Sequence, residues 1–240
     1  MEFLIKLLGG LWWWFLPVRK KLAVQNFSRC FPHLNPKILR RTVGEMGCQY
    51  VEMVLGRRTI LVHPPTIKKG GICIAGHGGG WDLALLAVAT AYPVTIFLKR
   101  PTGTIAKRFI EYYRTKHDIE PLYGRGTMPQ AYEALQRGRL VIFIQDQRLN
   151  DGIHTTFFGK ACKTSAAFAV MAWRTKAPLY GIWQWKSNSE HHCQIEPLDW
   201  EIPQDLQTAT HELTQKTQDF YEKKIKANPY SWLWLHRRWK

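Results

Sequence analysis

Residues 72–91 constrain the fold more than any other part of the chain. Four apolar residues, Ile72-Cys73-Ile74-Ala75, run straight into Gly76-His77-Gly78-Gly79-Gly80-Trp81-Asp82, and an apolar stretch, residues 83–91, follows. A short unbroken apolar run bounded by glycine suits a strand buried on both faces, and nine further residues are long enough for a helix. Glycines allow the backbone angles of a tight turn between the two. Strands of this type occur where helices cover both faces of a parallel sheet.

The remainder alternates in the same way. Helices are expected over residues 36–55, 105–116, 128–136, 165–176 and 206–226, and strands over 94–98, 140–144, 179–185 and 192–196. The expected class is therefore α/β, a mostly parallel central sheet flanked by helices. At 240 residues the chain suits one domain with a substantial core. Residues 1–21 read differently. Residues 3–16 are almost wholly apolar and include Trp12, Trp13 and Trp14, and beyond Pro17 come Arg19, Lys20 and Lys21. Fourteen residues are short for a membrane span, which needs about 20. Tryptophans followed by a basic cluster suit a helix lying in the membrane interface, on the cytoplasmic face, the alternative being a hydrophobic helix packed on the core. The division expected is residues 1–21 as a membrane-associating helix with its basic flank, and 22–240 as a single domain.

Charge narrows the partners. There are 34 Lys and Arg against 18 Asp and Glu, a net of +16. An anionic partner follows: an acidic membrane surface, a phosphorylated substrate or nucleic acid. Trp232, Trp234, Trp239 and Arg237-Arg238 suit either stacked bases or an anionic membrane interface, but no recognisable nucleic-acid module accompanies them. The five cysteines are odd in number and widely spaced, which argues against a disulfide framework. His191-His192-Cys193 lacks partners at metal-ligand spacing, so no metal is expected and an exposed turn entering a strand is.

The glycine-rich turn carries the chemistry. His77 can accept a proton near neutral pH. Asp82 can orient and charge-stabilise the ring if His77 lies on the turn and Asp82 in the first turn of the helix. A His-Gly-Gly-Gly turn also serves lipases and esterases, whose nucleophile sits on a Gly-x-Ser-x-Gly elbow. None of Ser28, Ser165, Ser187, Ser189 and Ser231 has that setting. The alternative needs no protein nucleophile: His77 deprotonates a hydroxyl, which attacks an acyl thioester directly.

His77 to Asp82 resembles the HxxxxD/E signature of the glycerolipid and lysophospholipid acyltransferase superfamily. Other segments resemble its bacterial late-acyltransferase branch, the lipid A lauroyl/myristoyl and phosphatidylinositol mannoside acyltransferases. They are residues 17–27 with Phe31-Pro32, Gln145-Asp146-Gln147, Phe157-Phe158-Gly159 with Thr164-Ser165, and Asn228-Pro229 through Trp234, His236, Arg237, Arg238 and Trp239. Their order along the chain is the family's. The resemblance implies acyl transfer from acyl carrier protein or coenzyme A to a hydroxyl of a glycolipid, lipid A-like or lysophospholipid acceptor. It implies no cofactor, and a peripheral or monotopic place on the cytoplasmic face of a bacterial inner membrane.

On that reading His77 is the base and Asp82 holds its tautomer. Asp146 is either a second carboxylate steering the site or a turn residue. Amides of Gly78, Gly79 and Gly80 face the oxyanion, and Trp81, Thr164 and Ser165 belong to the substrate side. Arg100, Arg125 and Lys163 fall near element ends, where they either grasp phosphate or remain solvated charges. Gly78 stands where the branch usually has Phe, Asp82 where lipid A enzymes favour Glu, and Arg148 where an acidic residue or His often follows Asp-Gln. No Asn follows Lys99-Arg100 closely. An acceptor other than a lipid A precursor is expected from these departures. Two competing classes are a non-catalytic lipid-binding relative and a basic nucleic-acid-binding protein.

Overall fold

The computed structural model describes residues 19–56, 59–100, 104–187 and 190–239. Helix α1 (Lys20–Cys30) leads through a 3-10 turn (Pro36–Ile38) to α2 (Leu39–Val54) and strand β1 (Thr59–Val62). Next come β2 (Gly71–Ala75), α3 (Trp81–Ala91), β3 (Val94–Leu98), α4 (Thr104–Lys116), β4 (Ile119–Tyr123), α5 (Met128–Gln136) and β5 (Leu140–Ile144). A hairpin of β6 (Ile153–Phe157) and β7 (Lys160–Thr164) precedes α6 (Ala167–Thr175), β8 (Leu179–Ser187), β9 (Glu190–Pro197), α7 (Leu206–Ala227) and a 3-10 turn (Pro229–Ser231). The membrane-associating helix expected over residues 1–21 lies, up to residue 18, outside the described residues. Residue 21, expected to end it, falls inside α1, whose Ala23, Asn26 and Phe27 are buried. Among the described residues no helix is long and apolar enough to cross a membrane.

The described strands form a seven-stranded sheet in the order β1-β9-β8-β2-β5-β3-β4. Strands β8, β2, β5, β3 and β4 run parallel; β9 is antiparallel to β8 and carries β1 parallel to itself. The parallel strands are short apolar runs because both faces are covered. Successive side chains enter opposite layers. Ile72 and Ile74 of β2, with Val141 and Phe143 of β5, join the layer that holds Phe168 of α6 and Leu213 of α7. Cys73 and Ala75, with Leu140 and Ile142, join the layer that holds Ala84 and Val88 of α3. The chain thus leaves β2 toward one face through α3, while α1, α5, α6 and α7 cover the other. A crevice opens at the carboxyl ends of such neighbouring strands, where α/β sheets place their ligands.

Two segments differ from expectation for local reasons. The helix expected at residue 36 starts as a 3-10 turn, with Pro36 in its first turn and the Asn35 side chain accepting from the Lys37 amide at 3.0 Å. The strand expected over 192–196 begins earlier, at residue 190, and no exposed turn enters it at 191: His191 is buried in β9, and His192 stacks on Trp185 at 5.4 Å between ring centroids.

Candidate active site

Strand register brings the first two site residues together. Ala75 lies opposite Ile144, and His77 and Asp146 each stand two residues further on. The Asp146 carboxylate grips His77 twice. Its Oδ1 lies 2.9 Å from ring Nδ1 and its Oδ2 accepts from the His77 amide at 2.6 Å. Oδ2 also accepts from the Trp232 indole at 2.7 Å. An ionised carboxylate can only accept, so Nδ1 carries the hydrogen and Nε2 keeps its lone pair. Gln147, the residue after Asp146, puts its side-chain nitrogen 3.1 Å from Nε2.

The electrostatics follow from this grip. Asp146 is 1% exposed, and burial alone would push its carboxyl up; the His77 charge and hydrogen bonds, with the Trp232 indole, hold it below the usual carboxylate value. Burial pulls the His77 ring down, but the Asp146 charge and hydrogen bond outweigh it and leave the ring above the ordinary histidine value, with Asp82 adding to the rise and the exposed Lys99 opposing it. The His77 side chain keeps 19% of its surface exposed, so the ring is not sealed in the core.

The glycine turn lies flat on β8 and β9. The Gln184 side chain donates to the Gly76 carbonyl at 2.5 Å. A Cβ on Gly78 would meet the Gln184 carbonyl oxygen at 2.6 Å, and one on Gly80, whose φ is +75°, would meet His191 Nδ1 at 2.5 Å. Only glycine fits either place. His191 is held in turn by Glu52 of α2, which accepts from Nε2 at 2.7 Å and from Lys186 at 2.8 Å. Burial would raise the Glu52 carboxyl, and its His191 and Lys186 hydrogen bonds bring it below the usual value. The sequence treated His191 as surface; a buried carboxylate 139 residues upstream was the missing partner.

Asp82 sits in the first turn of α3, where a negative charge suits the helix dipole, and its amide donates to Gln49 at 3.0 Å. Trp81 sets its ring edge-on to His77, 5.4 Å between centroids. Beside them is a cavity of about 80 Å³ reached by His77, Trp81, Asp82 and Gln184 and otherwise lined by apolar residues, among them Leu85, Val88 and Ile142.

The Trp-rich closing segment corrects the surface reading. Trp232, Trp234 and Arg238 are 1%, 0% and 0% exposed, which removes them from any membrane or nucleic-acid face. The segment pairs with the glycine turn through a bridge between Gly78 and Trp232, and the Leu233 amide donates to the His77 carbonyl at 2.9 Å. From α1, the Asn26 side chain donates to the carbonyls of Trp234 at 2.9 Å and His236 at 2.8 Å.

The remaining candidates fall elsewhere. Arg238 donates to the Lys163 carbonyl, to Thr164 Oγ1 at 2.6 Å and to Gln218 Oε1 at 2.5 Å. Lys163 and Thr164 therefore seat the closing segment, while the Ser165 hydroxyl accepts from the Ala167 amide at the start of α6. Lys163 also reaches the Asn150 carbonyl at 3.3 Å. Arg125 forms an exposed ion pair with Asp151, its side chain 91% exposed, and is not brought to His77. Arg100 is exposed with its guanidinium over the Tyr123 ring. Residues the sequence reading gave no role here are Gln147, Gln184 and Trp232. Trp232 carried a legible signal, a tryptophan in an ordered motif, and was assigned to the wrong environment.

The chain belongs to the bacterial lipid A biosynthesis acyltransferase family, whose model matches residues 66–240. Within that relationship, it is 26% identical over 182 residues to a phosphatidylinositol mannoside acyltransferase from Mycolicibacterium smegmatis, a match covering 71% of this chain. The match spans 57% of that relative's length. Among solved structures, the 1-acyl-sn-glycerophosphate (LPA) acyltransferase PlsC from Thermotoga maritima aligns over 95% of this chain and 99% of its own, with a TM-score of 0.47 and 14% identity.

Proposed function

We propose that the protein transfers a fatty acyl chain from a thioester, on acyl carrier protein or coenzyme A, to a hydroxyl of a glycolipid, lipid A-like or lysophospholipid acceptor. One observation carries the reading: a buried carboxylate fixes Nδ1–H of a partly exposed histidine, which leaves Nε2 basic beside an apolar cavity. His77 Nε2 takes the proton as the acceptor oxygen forms its bond to the thioester carbonyl carbon. The carbon–sulfur bond then breaks, and the proton passes from Nε2 to the leaving sulfur. Amides of Gly78 to Gly80 are offered to the oxyanion formed between these events. The acyl group enters already activated, so no resident cofactor is needed. Asp146 is the residue that orients the base, and Asp82 adds negative charge nearby. The apolar residues 3–16 and the basic cluster after them support attachment at the cytoplasmic face of a membrane.

The deciding experiment incubates the purified chain with labelled acyl-CoA and acyl-carrier protein against a panel of membrane lipids, with products identified by mass spectrometry. Transfer to a lipid hydroxyl is expected; thioester hydrolysis alone, or no turnover with any donor, overturns the reading. In the same assay kcat/KM requires unprotonated Nε2. Because the Asp146 charge raises the ring, the acid limb is expected above the ordinary histidine value of 6.5, with activity lost as pH falls through it.

The cavity makes a second expectation. Val88 of α3 lines it and is 0% exposed, so Val88→Phe places a ring in its volume. Preference should move toward shorter acyl donors by about 10-fold or more in relative kcat/KM, the scale set by one or two methylenes in an apolar pocket. An unchanged chain-length profile would place the acyl chain elsewhere.

A further inference from the structure

We propose that Trp232 is a positioning residue for the His77–Asp146 pair: its indole N–H fixes the Asp146 carboxylate in the orientation that holds His77, so the closing segment is part of the active site. This rests on the general-base reading above and adds a residue to it.

The geometry is specific. Asp146 is 1% exposed, and its Oδ2 has two donors, the His77 amide at 2.6 Å and the Trp232 indole at 2.7 Å. The amide belongs to His77 itself and cannot by itself set the carboxylate relative to the ring. The indole comes from a different element, 86 residues away in sequence, and its orientation is over-determined. It packs edge-on to Trp234 at 4.7 Å and to Phe157 at 5.5 Å, and its backbone pairs with Gly78 of the glycine turn. An indole nitrogen can only donate, and it bonds more strongly to an ionised carboxylate than to a neutral one. A phenylalanine would fill most of the same space without the donor.

Removing that donor has a definite electrostatic sign. The positive end of the N–H dipole stabilises the deprotonated forms of the coupled pair, so its loss raises the pH at which the pair gives up its proton. The other groups that face the pair stay in place: Asp82 on α3, Lys99 after β3, Tyr221 on α7, and His236 and Arg238 beside Trp232 in the closing segment.

The test compares Trp232→Phe with Trp234→Phe. Trp234 is equally buried and loses a comparable bond, from its indole to the Pro229 carbonyl at 2.8 Å, but does not touch Asp146. Trp232→Phe is expected to lower kcat about 10- to 100-fold, the scale of one hydrogen bond to a charged acceptor, with KM nearly unchanged and the acid limb moved upward. In an Asp146→Asn background the same change should have little further effect on kcat. Trp234→Phe should leave the acid limb in place. Nuclear magnetic resonance titration of the His77 ring, without substrate, should show the same upward movement in Trp232→Phe alone. That readout separates two failures: an unmoved ring titration overturns the role of Trp232, whereas absent turnover with a moved titration overturns only the acyl-transfer reading. Equal ring titrations in the two tryptophan variants, or full additivity with Asp146→Asn, would make Trp232 purely structural.

Discussion

Asp146→Asn is expected to cost about 10³- to 10⁴-fold in kcat while the protein stays folded. An amide at this position offers Nδ1 either a donor or a weaker acceptor, so the ring is no longer held with its hydrogen on Nδ1; the equivalent change in a Ser-His-Asp triad costs about 10⁴-fold. The raised ring loses the charge that raises it, so the residual acid limb moves to lower pH. Asp82→Asn should cost less, because Asp82 contributes to the His77 ring after the Asp146 charge and hydrogen bond. The two variants rank the carboxylates. A larger loss in Asp82→Asn than in Asp146→Asn would reverse the assignment of the orienting residue.

Arg238→Met is expected to destabilise the fold by about 3–5 kcal/mol. The side chain is 0% exposed, and its loss takes a charged donor from the Lys163 carbonyl, Thr164 Oγ1 and Gln218 Oε1, of which the first keeps only the Leu149 amide at 3.3 Å and the second the Thr155 hydroxyl at 2.8 Å. An unsatisfied buried group costs about 1–3 kcal/mol, and each hydrogen bond from a charged donor contributes about 1.5–3. Isothermal denaturant titration measures it, with Arg237→Ala as the reference. Arg237 is exposed, so its change should stay within about 0.5 kcal/mol. A loss in Arg238→Met no larger than that would mean the acceptors find other partners.

The elements visible in the sequence were those built from unbroken apolar runs. β2, β3 and β5 were readable because strands buried on both faces need no alternation, and α5 and α7 because their apolar positions recur at helical spacing. β1 and β4 were missed. β4 contains Glu120 and Pro121, which a strand tolerates only at the edge of a sheet, and edge position is a tertiary fact. The hairpin was hidden because His154-Thr155-Thr156 is polar and its turn, Phe158-Gly159, resembled a motif rather than a turn.

The site was legible in part. The strand-glycine-helix pattern located His77, and the order of later motifs located Asp146. Which carboxylate touches the ring was not legible, because Asp82 is five residues from His77 and Asp146 is sixty-nine, and only the pairing of β2 with β5 makes the distant one the neighbour. Nor was it legible that Arg125 pairs with Asp151 and that Lys163 reaches the Asn150 carbonyl. A charge beside a strand end carries no information on which way the end faces. Arg238 and Trp232 were read by composition as surface, although buried arginines and tryptophans need only acceptors, which distant elements supply here.

Asn26 holds two carbonyls of the closing segment, and that segment holds the carboxylate behind the base. Fraying of α1 would therefore slacken the grip on His77 without disturbing a single strand of the sheet. The catalytic pair therefore depends on the seating of the first described helix as much as on the strands that carry it.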